Sequence, residues 1–274
     1  MILKCRDKNI ELGKKTLIMG ILNVTPDSFS DGGRYNNLDS ALEQAKKMIE
    51  DGADIIDIGG ESTRLGHTQI SVEEEIGRVV PVIEMLSKEL DIVISIDTYK
   101  YQVAEAALKA GAHIINDIWG LQYDNGEMAK LAADYNVPVI AMHNQNGTEY
   151  NEDIILSMRK FFERTYEISD KYGISRDNII LDPGIGIGFG KGIEENIEVM
   201  ARLEELRDMG RILLGTSKKG FIGTILGGVP TDERVEGTAA TTVIGIEKGV
   251  DIVRVHNVLE NKRVALVADR IYRR

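Results

Sequence analysis

Eight short apolar runs, each followed by a stretch whose apolar residues recur at helical spacing, limit what this chain can fold into. The runs are LIMGIL (17–22), DIIDI (54–58), IVISID (92–97), HIIND (113–117), PVIAM (138–142), NIILD (178–182), RILLGTS (211–217) and DIVRV (251–255). Helical patterns follow over 38–51, 72–90, 101–110, 127–135, 153–172, 194–209, 232–248 and 258–272. Nearly continuous apolar strands alternating with helices imply a parallel sheet covered by those helices. Eight such units favour closure into an α/β fold of the (β/α)8 TIM-barrel type over an open doubly wound sheet. The 274 residues suit that size, and no linker, low-complexity run or charge block divides them, so 1–274 is expected to be one domain. The residues ahead of the first run form a short N-terminal extension, expected to be a hairpin closing the barrel's bottom.

A formal charge of −11 sets the overall field against nucleic acid and anionic ligands, so any anion must be held locally. No window approaches the ~20 uninterrupted apolar residues of a membrane span. The segment Met1–Lys15 carries charges throughout and lacks the apolar centre of an export signal, which makes the cytoplasm the expected compartment. The lone Cys5 fits a reducing setting and reads as a packing residue.

In either α/β arrangement, ligands bind beyond the carboxyl ends of the strands. In this chain those ends carry Asn23, Gly59 through Arg64, Asp97, Asn116-Asp117, Met142-His143, Asp182-Pro183-Gly184, Ser217-Lys218-Lys219 and Arg254-Val255-His256. One polar residue at a strand end is usually a cap, but eight of eight suggest a substrate with a hydrogen-bonding ring and an anionic tail. Strand 8 of a closed barrel neighbours strand 1, so Arg254 and His256 are expected beside Asn23, with Arg64 able to join them around an anion. Asn23 offers a hard oxygen for Mg²⁺ shared with phosphate. Asp97, Asn116 and Asp182 should face donors, either a lysine such as Lys219 or the N–H groups of a planar heterocycle. Asp57 and Glu61 read as supporting anchors, and His67 and His113 form no recognisable metal set.

The first strand runs into MGILNVTPDSFSDGG, far longer than an ordinary strand-to-helix connector. With IDIGGESTR, IDT, INDI, LDPGIG, TSKK and RVH in the same order, the chain resembles the dihydropteroate synthase family. That resemblance implies a TIM barrel, a homodimer, and the joining of 6-hydroxymethyl-7,8-dihydropterin pyrophosphate to p-aminobenzoate. It further implies pterin contacts at Asp97, Asn116, Met142, Asp182 and Lys219, and pyrophosphate contacts at Asn23 with Mg²⁺, Arg64, Arg254 and His256. Asp31 would pair with Arg64, completing a catalytic set of Asn23, Asp31, Arg64, Lys219, Arg254 and His256. Pro26, Phe29, Thr63 and Gly220 would line the p-aminobenzoate pocket, with the first loop acting as a lid.

Some positions depart from the family pattern: Leu65 replaces a proline, Gly220 a serine and Asn257 an aspartate. Lys218 stands in place of an arginine and is expected to be a surface or lid cation. DPGIGIGFGK (182–191) is two residues longer than the common form, leaving open whether Ile187 or Phe189 takes the usual aromatic position. Two rivals share the pterin acids: a methyltetrahydrofolate:corrinoid methyltransferase, which has no pyrophosphate to bind, and a non-enzymatic pterin store.

Overall fold

The computed structural model describes residues 1–25, 34–61 and 69–273. Strands β1 (Ile2–Cys5) and β2 (Lys8–Glu11) pair antiparallel, Ile2 opposite Glu11 and Cys5 opposite Lys8. The expected hairpin is therefore present. Eight further strands follow: β3 (Leu17–Asn23), β4 (Ile55–Gly59), β5 (Val93–Asp97), β6 (Ile114–Asp117), β7 (Val139–Met142), β8 (Ile179–Asp182), β9 (Arg211–Leu214) and β10 (Ile252–Val255). They pair in parallel in that order, and β10 closes on β3 to complete the barrel.

Around it lie α1 (Arg34–Glu50), α2 (Val72–Glu89), α3 (Tyr101–Ala110), α4 (Glu127–Tyr135), α5 (Ile154–Tyr172), α6 (Ile193–Ala201), α7 (Gly220–Ile225), α8 (Val235–Glu247) and α9 (Val258–Tyr272). Local chemistry fixes several boundaries. Ser71 accepts from the Glu74 N–H at the start of α2, and Asp153 from the Leu156 N–H at the start of α5, each satisfying a backbone donor the helix itself leaves open. Gly111 ends α3 with a left-handed φ of 119°.

Four elements differ from the sequence expectation. The pattern over 194–209 yields α6 and then a separate 3₁₀ turn, Leu203–Leu206, while 232–248 begins as a 3₁₀ turn at Thr231–Arg234, where Glu233 leaves helical geometry. The seventh barrel run, RILLGTS, stops pairing at Leu214, just before Gly215. The short α7 has no counterpart in the periodicity, because GFIGTI spends two of six residues on glycine.

The strands alternate between two cores. Ile56, Ile58, Ile94, Ile96, Ile115, Val139, Leu181, Leu214 and Val253 point outward and pack under the helices. Leu17, Met19, Ile55, Val93, Ile114, Ile140, Ile180, Leu213 and Ile252 point inward and meet Leu3, Cys5 and Leu12 from the N-terminal segment. The hairpin is thus a plug over the barrel's lower end. Cys5 is fully buried in it, and that burial raises its thiol pKa to about 12, as befits packing rather than reactivity. No described helix is long and apolar enough to cross a membrane.

Candidate functional site

One alternation step above the apolar plug, the inward positions turn polar. Ile55 gives way to Asp57, Val93 to Ser95 and then Asp97, Ile114 to Asn116, Ile180 to Asp182, and Ile252 to Arg254. Register aligns part of this layer in one row: Asn23 lies opposite Gly59, Gly59 opposite Asp97, and Asp97 opposite Asn116. At Gly59 a Cβ would stand 3.7 Å from both Asn23 Oδ1 and Asp97 Oδ2. Glycine therefore leaves a gap between those two polar side chains.

Arg254 binds this layer together. Its Nε donates to Asp57 Oδ2 at 2.6 Å and its Nη2 to Asp97 Oδ2. Asn116 Nδ2 donates to the same Asp57 oxygen at 3.1 Å. Asp57, fully buried, is thus the anchor the sequence suggested, and its partners lie on β10 and β6. The guanidinium belongs to the seam strand, yet it reaches across the interior to β4 and β5. Two of its five donors are already committed to acids, so an anion would meet only the others.

The acids are held in an environment that favours protonation. Burial pushes Asp97 up to about 7, with Arg254 opposing and Asp57 adding to the rise. Asp182 is also raised by burial, against the Gly184 N–H that it accepts at 2.8 Å and the charges of Lys219, Arg254 and Lys191. Among the described residues, the buried oxygens Asp57 Oδ1, Ser95 Oγ and Asp97 Oδ1 have no hydrogen-bond partner. Orphans of this kind cost about 1–3 kcal/mol each, so three in one layer make the polar storey costly to fold.

Across the mouth, Lys219 sits between β9 and α7 with its Nζ 4.8 Å from the centre of the Phe189 ring. In the longer 182–191 segment it is Phe189 that stands beside the lysine. Ile187 instead approaches Gly220, where a Cβ would lie 3.3 Å from its Cδ1. His256 is held by Ser217 on the loop after β9. Its Nδ1 meets Ser217 Oγ at 2.9 Å, and the same hydroxyl accepts the His256 backbone N–H. Met142 is buried at the end of β7, opposite Asp182.

Not every polar strand end faces the mouth. Asp117 caps its own loop by accepting the Trp119 and Leu121 N–H groups. His143 is buried among Tyr150, Phe161 and Phe162, with Lys191 Nζ 2.8 Å from its Nδ1. At these two strand ends Asp117 and His143 satisfy local backbone and packing needs, while Asn116 and Met142 are the residues that β6 and β7 bring to the mouth. Lys218 has a left-handed φ of 56° and donates its N–H to Thr238 Oγ1. His113 accepts the Ile94 N–H, consistent with a structural role. Trp119 stacks at a tilt with Tyr123, 6.1 Å between centroids.

A second polar group, missed in the sequence, lies beside the mouth. Lys100, at the start of α3, donates to Glu61 at 2.6 Å, Glu75 at 2.8 Å and the Ile70 carbonyl at 2.7 Å. Glu61 also accepts the Ile70 N–H. These contacts fix residues 61 and 70 to the barrel. No spacing rule links a lysine with two glutamates from different elements. Pro26, Phe29, Asp31, Thr63 and Arg64 lie outside the described residues, as do Leu65 and His67.

Among the described residues, no group of three or more His, Cys, Asp or Glu side chains could hold a metal. Among the described residues at the rim, Asn23 Oδ1 offers a hard amide oxygen. An oxygen of this kind fits Mg²⁺ arriving with phosphate oxygens and keeping its waters.

Comparison with known proteins places this geometry in context. The family described as pterin binding enzyme matches residues 19–256. A dihydropteroate synthase from Clostridium beijerinckii is 53% identical over 277 aligned residues, covering 99% of this chain and 100% of its own. The crystal structure of dihydropteroate synthase from Clostridium difficile in the presence of pteroic acid has a TM-score of 0.93 at 55% identity, covering 97% of this chain and 100% of that one. The Xanthomonas albilineans dihydropteroate synthase with 4-aminobenzoic acid has a TM-score of 0.92 at 35% identity, covering 98% and 97%.

Proposed function

The chain belongs to the dihydropteroate synthases, within the pterin-binding enzymes, and we propose that it joins 6-hydroxymethyl-7,8-dihydropterin pyrophosphate to p-aminobenzoate. The products are 7,8-dihydropteroate and pyrophosphate. The observation that carries this reading is the polar layer itself: Asp97, Asn116, Asp182 and Lys219 around one mouth, above a sealed apolar floor.

A pterin ring presents several N–H donors and a carbonyl in one plane. Asp97 and Asp182 accept from it, Asn116 contributes its amide, and Lys219 donates to a ring oxygen or nitrogen. Met142 supplies an apolar wall. Asp57 holds Arg254 and Asn116 in place, so the ring meets a preorganised surface. Pyrophosphate would lie toward Asn23, Arg254 and His256, with Arg64 joining and Asp31 pairing with it. Asn23 Oδ1 would hold Mg²⁺, which neutralises charge on the departing phosphate oxygens.

In the proposed dissociative route, the bond between the exocyclic methylene carbon and the pyrophosphate oxygen breaks first, and the electron-rich dihydropterin carries the positive charge. The aniline nitrogen then forms the new C–N bond and loses a proton to solvent. A weakly basic aniline asks for no strong general base, so positioning and electrostatics supply most of the rate. Pro26, Phe29, Thr63 and Gly220 are assigned to p-aminobenzoate. We also propose a homodimer in the cytoplasm; the exposed apolar side chains Leu266, Val267, Ile271 and Tyr272 along α9 support the first, and the lone buried Cys5 agrees with the second.

The test is pyrophosphate release by the full chain. Release that requires both substrates and Mg²⁺ supports the reading. Methyl transfer to a corrinoid, or pterin binding without turnover, would replace it with one of the rivals.

A further inference from the structure

The segment between β8 and α6 is rich in glycine, and four of its residues take left-handed or otherwise glycine-only angles: Gly184 at φ 65°, Gly186 at 149°, Gly188 at 101° and Gly190 at 77°. Two of these lie tight against the end of β7. A Cβ at Gly184 would fall 2.1 Å from the His143 carbonyl oxygen, and one at Gly190 would fall 2.3 Å from Gln145 Cγ. So many glycines leave the chain little intrinsic preference for this path and raise the entropy lost on ordering it. Side chains outside the glycines must hold it in place.

Two buried ones do. Asn196 accepts the Gly186 N–H at 2.7 Å and donates to the Gly192 carbonyl. Lys191 is fully buried and reaches back under the loop, with its Nζ 2.8 Å from His143 Nδ1 and 3.2 Å from the Phe189 carbonyl. His143 is itself fixed: its N–H donates to the Asp182 carbonyl at 2.9 Å, and its ring packs edge-on to Phe161, 5.0 Å between centroids. The amine therefore ties the residue that carries the ring under Lys219 to a rigid point on β7.

An apolar side chain of the same length would fill this space without desolvating an amine. Burial lowers the Lys191 pKa to about 7, with Lys219 adding to that effect and Asp182 opposing it. Burial likewise leaves His143 well below the ordinary imidazole range, consistent with a neutral acceptor facing the lysine. Stability alone thus gives no reason for a lysine here.

We propose that Lys191 is a positioning residue for pterin recognition, acting through His143 and the Phe189 carbonyl to fix the Phe189 ring beside Lys219. Lys191 does not touch the substrate; it sets where the Lys219 ammonium stands relative to Asp182 and Asp97. The inference rests on the proposed reaction and extends it to a residue away from the mouth.

The test is a double-mutant cycle between Lys191→Met and Phe189→Leu in the full chain, read as the KM for the pterin substrate and as kcat. Lys191→Met is expected to raise that KM about tenfold with little change in kcat, whereas in the Phe189→Leu background it adds about twofold at most. A residue that only stabilises the fold would multiply the two effects instead. His143→Leu removes the acceptor and leaves the lysine, so it carries the same test should Lys191→Met fold poorly; it is expected to raise the KM in the same direction and to be silent in the Phe189→Leu background. Independent, multiplying effects, or an unchanged KM in both single variants, would overturn the inference. A wild-type chain that releases no pyrophosphate would overturn the proposed reaction and this inference with it.

Discussion

At its lower end the barrel is filled by nine apolar side chains beneath a hairpin, and at its upper end by Asp57, Ser95, Asp97, Asn116, Asp182 and Arg254. The same strands build both, and along most of them the change takes two residues, one step of the inward-facing alternation. Below, each buried side chain gains from leaving water, about 1.5–3 kcal/mol for a large aliphatic group. Above, charges are buried against one another, and oxygens are left without partners. The contrast teaches that stability and recognition occupy separate storeys of one structure: the floor can hold the barrel closed while the mouth stays costly and ready for a ligand.

The comparison breaks most visibly where a mouth residue is removed. Lys219→Met is expected to lower kcat/KM for the pterin substrate roughly 10²–10³-fold, about 3–4 kcal/mol of transition-state stabilisation. Steady-state kinetics would show this beside a thermal midpoint within a few degrees of wild type. If the midpoint falls while kinetics hold, the two storeys are not separate.

The reverse substitution tests the floor. Ile140→Ala opens space in the plug and is expected to cost ~2–5 kcal/mol in urea unfolding, with both KM values unchanged. A large rise in either KM would show that floor packing sets the mouth's geometry.

Acid–base behaviour sharpens the contrast, since the mouth, unlike the floor, buries carboxyls beside one another. Asp97 rises from 3.8 to about 7 on folding, so between those values the folded state keeps a proton that the unfolded chain has lost. Its contribution to stability therefore falls as pH rises through that window and is constant below it. Ring donors require the carboxylate, so kcat/KM is expected to climb as pH passes about 7. Asp57 is one of the charges holding Asp97 up, and Asp57→Asn should move that limb to lower pH. A limb that stays in place would remove Asp97 from recognition.

The smallest effect is expected at Ser95→Ala. The hydroxyl has no partner among the described residues, so its loss should change stability by no more than about 0.5 kcal/mol, or raise it. A loss of 2 kcal/mol or so would mean that the hydroxyl is satisfied in solution.

Much of this was legible in the sequence because it depends on local period. DIIDI, IVISID, HIIND and NIILD show both the outward isoleucines and the inward switch to Asp or Asn. The barrel, the plugging hairpin and the row of Asn23, Asp97 and Asn116 follow from strand order and register. What stayed hidden are pairings made by the closed fold: Arg254 with Asp57, 197 residues apart, and Lys100 with Glu61 and Glu75. Sequence spacing carries no signal for contacts that depend on which side chains reach across an interior. His143 and Asp117 misled for the opposite reason, since a polar residue at a strand end serves equally well as a cap or a buried acceptor.

The most direct measurement is calorimetric titration of wild type and Asp182→Asn with the pterin pyrophosphate in the presence of Mg²⁺. The account predicts measurable heat and saturable binding for wild type, and loss of binding in the variant with its thermal midpoint preserved. Equal affinity in the two proteins would contradict the claim that the acid layer above the apolar floor is what recognises the ring.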